Sequence, residues 1–123
     1  SEELKSLKKQ YKSIVENSIQ SSKFQEAISM IKEYEIMFNK DNDILNMKGI
    51  IAMHNGNFKE AELLFKEATL LEVNYNTMFN IAYLKESIGE IDEAISFYKK
   101  IILTCEDEGI VFEAQERIKI LNR

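Results

Sequence analysis

The chain carries one histidine, His54, and one cysteine, Cys105, the side-chain types from which nucleophilic and metal chemistry is most often built. A Cys-His nucleophilic pair would need these two to meet across distant segments of the chain. A zinc site would need nitrogen or sulfur ligands that the sequence does not have, because Asp and Glu alone rarely complete a tetrahedral set. There is no glycine-rich phosphate loop, no nucleophile elbow and no His-x-x-x-His pair. Carboxylates are plentiful, but Glu60, Glu62, Glu67 and Glu72 intermingle with Lys59 and Lys66 as on a solvated helix face, and Glu62 stands four residues before Lys66. Glu106-Asp107-Glu108 reads as a soluble turn between helices ahead of a weak cation site. The expectation is a protein with no catalytic residues, no cofactor and no metal.

Binding remains, and charge narrows what can be bound. Sixteen Lys and Arg against 21 Asp and Glu give a net charge of -5, which repels nucleic acid. One basic cluster stands out: Lys5, Lys8, Lys9 and Lys12 recur at the three and four spacing that shares a helix face. Such a face can meet an acidic partner or anionic lipid, although a solvated lysine face is the favoured reading.

The elements that must position any binding surface follow from the rest of the sequence. At 123 residues the chain is one domain's length, 45% hydrophobic and 30% charged, as in soluble globular proteins. Proline is absent and glycine occurs four times, which argues against a turn-rich β domain. A single cysteine leaves no internal disulfide framework. The segments Phe24-Gln25-Glu26-Ala27, Phe58-Lys59-Glu60-Ala61 and Ile91-Asp92-Glu93-Ala94 place alanines 34 and then 33 residues apart. In phase with them run Ile31, Phe65 and Tyr98, then Tyr34, Ala68 and Ile101. Ser22, Gly56 and Gly89 lie upstream, as do Val15, Gly49 and Ala82. The chain is a repeat array.

Each copy holds two helical patterns around a short break. In the second copy Leu45, Ile51 and Ala52 precede Asn55-Gly56-Asn57, and then Phe58, Ala61, Leu64, Phe65, Ala68 and Leu71 recur at helix spacing. Gly56 suits the left-handed residue that ends a helix, while Asn57 with Glu60 suggests a capping box on the next one. The third copy repeats this with Met78, Ile81 and Ala82 before Gly89 and Ile91, Ala94, Ile95, Tyr98, Ile101 and Ile102 after it. In the first copy Leu4, Leu7, Tyr11, Ile14 and Val15 form a long opening helix, followed by Phe24, Ala27, Ile28, Ile31 and Phe38. A last stripe of Val111, Ala114, Ile118 and Leu121 forms a seventh helix that covers the end of the array.

The period, the small residues Gly49 and Ala82, the turn glycines Gly56 and Gly89, and the pairs Ala61/Phe65 and Ala94/Tyr98 resemble the tetratricopeptide repeat. The usual first-helix tryptophan is replaced by Tyr11, Leu45 and Met78. The usual terminal proline is replaced by Asn39, Val73 and Glu106, and Lys48 stands where an apolar residue is commoner. The resemblance implies an all-α, right-handed α-solenoid of three hairpins, about residues 8–41, 42–74 and 75–107, closed by a capping helix at about 109–122, in a single domain over 1–123.

The resemblance also implies a concave groove lined by each repeat's first helix, holding a peptide or helix of a partner protein. The corresponding slots are Lys9, Lys12, Glu16 and Ile19; Asp43, Asn46, Ile50 and Met53, with His54 beside them; and Asn76, Phe79, Asn80, Tyr83 and Glu86. Of these, Asn46, Ile50, Met53, Phe79, Asn80 and Tyr83 make the expected partner-binding strip, with apolar contact area interleaved with amides. The alternative is that Phe79 and Tyr83 pack on neighbouring helices. A chaperone-type clamp for an acidic tail is not expected: Lys12 fits it, but Glu16, Met47, Asn76 and Asn80 do not. The rival function is a self-assembling scaffold that oligomerises through the uncovered face of the opening helix, formed by Leu4, Leu7 and Tyr11, or through the convex surface. A chain starting at Ser1 rather than methionine reads as a trimmed or excised fragment, which leaves room for a removed signal, anchor or domain and leaves compartment open.

Overall fold

The apolar stripes wind into seven helices in a computed structural model that describes all 123 residues: α1 (Glu2–Gln20), α2 (Phe24–Phe38), α3 (Asn42–His54), α4 (Phe58–Leu71), α5 (Tyr75–Ser87), α6 (Ile91–Thr104) and α7 (Glu108–Leu121). Each packs on the next, so that α1/α2, α3/α4 and α5/α6 are hairpins stacked in order and α7 closes against α6 and α5. There is no strand, and the array is an all-helical solenoid. No helix is long and apolar enough to cross a membrane.

The chain uses two different devices at its two kinds of junction. Inside each hairpin the first helix ends in a Schellman turn. Gly56 has φ +77° and Gly89 φ +87°, and the N-H groups of Asn57 and Glu90 donate back to the carbonyls of Ala52 and Lys85 at 2.8 and 2.9 Å. Ser22 occupies the same place in the first hairpin with φ 59°, and Lys23 donates to the Ser18 carbonyl at 2.7 Å. A side chain in that left-handed conformation costs about 1 kcal/mol that glycine does not. Ser22→Gly is therefore expected to stabilise the domain by about 0.5–1 kcal/mol, read as a rise in urea midpoint at unchanged slope.

Between hairpins the next helix is capped by a side chain instead. Asp41 accepts from the Ile44 N-H at 3.0 Å, Asn74 from Thr77 at 2.9 Å, and Asp107 from Gly109 and Ile110 at 2.9 and 3.1 Å. Asp41 and Asn74 approach from extended backbone, which lets a short side chain reach over the first turn. The capping box expected at Asn57 is absent: Asn57, like Lys23 and Glu90, leaves the Schellman turn with ψ near 65–69° and makes no side-chain cap.

Three apolar clusters run along the array, each joining a hairpin to the following helix. Val15, Ala27, Ile31, Tyr34, Ile44, Met47 and Ile51 form the first; Ala52, Ala61, Phe65 and Leu84 the middle one; Ala82, Ala94, Tyr98, Ile101 and Ala114 the last. Gly49 lets α3 and α4 approach until the Phe65 ring lies against its Cα, in space that a Cβ would need.

Polar side chains lock the hairpins together at the junctions between them. Asn42 is buried, and its Nδ2 lies 2.9 Å from the Ala68 carbonyl and 3.0 Å from that of Glu72, closing the end of α4. Its Oδ1 accepts from Asn46 and Asn74, tying α3 to the start of α5. At the α2–α3 junction Asp41 serves three helices. Besides capping α3 it accepts the Tyr34 hydroxyl and pairs with Lys12 Nζ at 3.2 Å. Burial works against the Asp41 anion, but Tyr34, the Ile44 N-H and Lys12 outweigh it and hold its carboxyl below the usual carboxylate range. Burial and the same hydrogen bond push Tyr34 up to about 12.

Candidate functional site

The first helices of the three hairpins, together with α7, face a common side. Between them lies a hollow of about 370 Å³ to which α1 contributes Glu16, Ile19 and Gln20, α3 Asp43, Asn46, Met47 and Ile50, α5 Asn76, Phe79 and Asn80, and α7 Ile110 and Glu113. A neighbouring hollow of about 480 Å³ is formed by Ile50, Met53 and His54 of α3, Phe58 of α4, and Phe79, Asn80, Tyr83 and Ser87 of α5. Ile50, Phe79 and Asn80 line both, so the two join into one strip across α3 and α5.

All six residues assigned to a partner-binding strip border these hollows, but their surroundings differ. Tyr83 is 43% exposed, with the Arg117 guanidinium 5.5 Å from its ring centroid. Ile50 and Met53 are half-buried against the middle cluster, each showing one side to the hollow. Phe79 sets its ring edge to face on Tyr98 at 5.3 Å, so part of it belongs to the last cluster, as the packing alternative requires. Asn80 is half-buried and donates to Asn46 at 3.3 Å. Asn46 is different in kind. It is 6% exposed, and its Nδ2 donates to Asn42 Oδ1 at 3.0 Å and Thr77 Oγ1 at 2.7 Å. Both amide hydrogens are therefore committed, one to Asn42 within α3 and one to Thr77 across to α5, and they have nothing left to offer a peptide backbone.

Two further slots are spoken for in the same way. Glu86 accepts the Tyr98 hydroxyl at 2.7 Å and Arg117 Nε at 2.9 Å, with Nη2 on its other oxygen, so α7 is pinned to α5 by a bidentate pair. Burial and Glu86 push the Tyr98 hydroxyl well above its ordinary value, and Glu86 raises Arg117 too. Lys12 pairs with Asp43 at 2.8 Å and with Asp41; burial opposes its charge, but the two carboxylates outweigh that and raise its pKa.

Within the lysine cluster, Lys12 is thus taken up by the fold while Lys5 and Lys9 remain exposed. Lys12 is bound to the α2–α3 junction, Lys8 stands 5.6 Å from the Phe38 ring centroid, and Lys5 is 3.8 Å from Glu2. Lys8 and Lys9 make no ion pair.

Gln20, Ser87, Ile110 and Glu113 line the hollows without having been named in the sequence, as do Met47, named there only as a slot that does not fit a clamp, and Phe58, named there only in a helix stripe. Ile110 and Glu113, three apart on α7, were the legible signal: that spacing marks a second face beside the buried stripe of Ala114. His54 is exposed and lies against the Phe24 ring, with centroids 5.0 Å apart, while Cys105 is half-buried at the end of α6. No group of three or more His, Cys, Asp or Glu side chains is disposed to hold a metal ion. With its walls of aliphatic, aromatic, amide and carboxylate groups, the arrangement can hold a polypeptide by shape and charge.

A family model described as the coatomer epsilon subunit matches residues 3–107. The chain belongs to the coatomer epsilon subunit family. The match takes in α1 through α6 and stops just short of α7, so the three hairpins are the part shared with the epsilon family model. That family is helical-repeat in character, in keeping with the stacked hairpins of this epsilon-family chain. No curated protein and no solved structure matches the chain significantly.

Proposed function

We propose that this chain is a non-enzymatic interaction subunit of a coat complex, holding a peptide or amphipathic helix of another protein in the concave groove between α1, α3, α5 and α7. The supporting observation is the continuous strip of Ile50, Met53, Phe79 and Tyr83, which keeps apolar surface open on the inner side with no helix of the chain's own laid over it. Adjacent half-buried aliphatic and aromatic groups on rigid helices are the usual composition of an interface hot spot. Membership of the coatomer epsilon family supports the coat assignment.

The test is recovery of partners from native lysate by the tagged chain, identified by mass spectrometry, with Tyr83→Ala and Ile50→Asp beside wild type. Each variant should weaken recovery of the principal partner by about 1–3 kcal/mol in affinity. Melting temperature should move much less, because both side chains are partly solvated in the free protein. Melting as damaged as that of a core variant would make them core residues. Unchanged recovery and unchanged melting would place the partner elsewhere.

A second reading has its own observation. Leu4, Leu7 and Ile14 are 51%, 37% and 48% exposed on one side of α1, a face that no other helix covers. Tyr11, expected to belong to it, turns instead against Tyr34 and Phe38. Self-assembly through this face would show as a mass that rises with concentration in light scattering and is lost in Leu7→Lys.

A further inference from the structure

We infer that the occupant of the groove is a cationic amphipathic segment, an apolar stretch flanked by Lys or Arg. This rests on the groove reading above and adds the partner's charge.

The charged side chains lining the hollow between α1, α3, α5 and α7 are Glu16, Asp43 and Glu113, and neither hollow is lined by lysine or arginine. Asp43 is matched by Lys12, but Glu16 on α1 and Glu113 on α7 form no ion pair. The cations four residues away on the same helices are taken: Lys12 is held by Asp41 and Asp43, and Arg117 is engaged by both oxygens of Glu86. Two unpaired carboxylates thus stand on opposite sides of a floor made by Met47, Ile50 and Phe79. A segment seated on that floor strips water from both. Removing solvent from an anion without supplying a cation is costly, so an acidic or neutral occupant is penalised where a basic one is rewarded. The net charge of -5 acts in the same direction at longer range, steering basic segments inward. Asn76 and the remaining capacity of Asn80 supply donors and acceptors for the segment's polar atoms.

The probe is a random peptide library displayed on phage and selected in parallel on wild type, Glu16→Gln/Glu113→Gln and Ile50→Asp. The most enriched wild-type peptide is then synthesised and titrated at about 50 and 300 mM salt, where screening differs most. Glu16 and Glu113 are exposed and make no hydrogen bond, so the double variant keeps its fold. Wild type should enrich peptides with Lys or Arg beside an apolar core, and the double variant should lose the basic preference. Its affinity for the synthetic peptide should fall roughly threefold to tenfold at low salt, and the difference should narrow at high salt. Enrichment that needs Ile50 but is neutral or acidic in character would overturn the charge inference and leave the groove reading standing. Enrichment indifferent to Ile50→Asp, or none at all, would overturn the groove reading and this inference with it.

Discussion

Gly49→Ala should destabilise the domain by about 2–4 kcal/mol, although alanine is the better helix former by about 1 kcal/mol at an interior position. The reason is a single contact. A Cβ on Gly49 would fall 2.8 Å from both Cδ1 and Cζ of Phe65, and closer still to Cε1. Phe65 has no room to yield, being 0% exposed and packed among Ala52, Ala61 and Leu84. Phe65→Ala removes the same ring from the other side and should cost about 3–5 kcal/mol through the cavity it leaves. The two changes must couple. In Phe65→Leu the alanine at position 49 should cost clearly less than it does in wild type, by about 1–2 kcal/mol in a double-mutant cycle from urea unfolding. Additive costs would mean that the ring is not what forbids a side chain at 49.

Deletion of residues 109–123 should be at least as damaging. Ala94, Tyr98 and Ile101 are 0% exposed in a cluster to which α7 contributes Ala114, Ile110, Ile118 and Leu121. Without α7 the Glu86 carboxylate, 8% exposed, also loses both bonds from Arg117. The truncated chain should aggregate, or melt much lower, with loss beginning in α5 and α6 because each hairpin is held only by its neighbours. Arg117→Ala is the milder companion. It keeps the apolar cover and should cost roughly 1–3 kcal/mol for the unmet carboxylate. A soluble truncation as stable as the full chain would remove the capping role of α7.

The repeat could be read from the sequence because one kind of residue recurs wherever two helices touch: Ala27, Ala61 and Ala94 are all fully buried, as are Tyr34, Ala68 and Ile101. The turn glycines were legible for the same reason, since positive φ leaves few other choices. Less could be read where one side chain answers to several elements at once. Asn57 has the right type and spacing for a cap, yet its backbone leaves a Schellman turn and points the amide away. Asn46 has the right type for a peptide contact and a groove-side position. Burial beside Asn42 and Thr77 turns it into a tie between hairpins, and nothing in the local spacing distinguishes the two roles. Lys12 looked like one of four free lysines until the α2–α3 junction brought Asp41 and Asp43 to it. The share of α7 in the groove depends on its docking angle against α5, which its own sequence does not encode.

The central claim is that partner protein sits against the inner strip, and the most direct measurement is photocrosslinking from single positions. A benzophenone amino acid is placed in turn at Tyr83 and Met53 on the inner side, and at Ile36 and Leu103, which are 85% and 83% exposed on the second helices of their hairpins. Irradiation in native extract should give one discrete adduct from positions 83 and 53 that disappears when Ile50→Asp is added, and no such adduct from 36 or 103. Adducts from 36 and 103, with none from 83 and 53, would contradict the account and put the partner on the outer face.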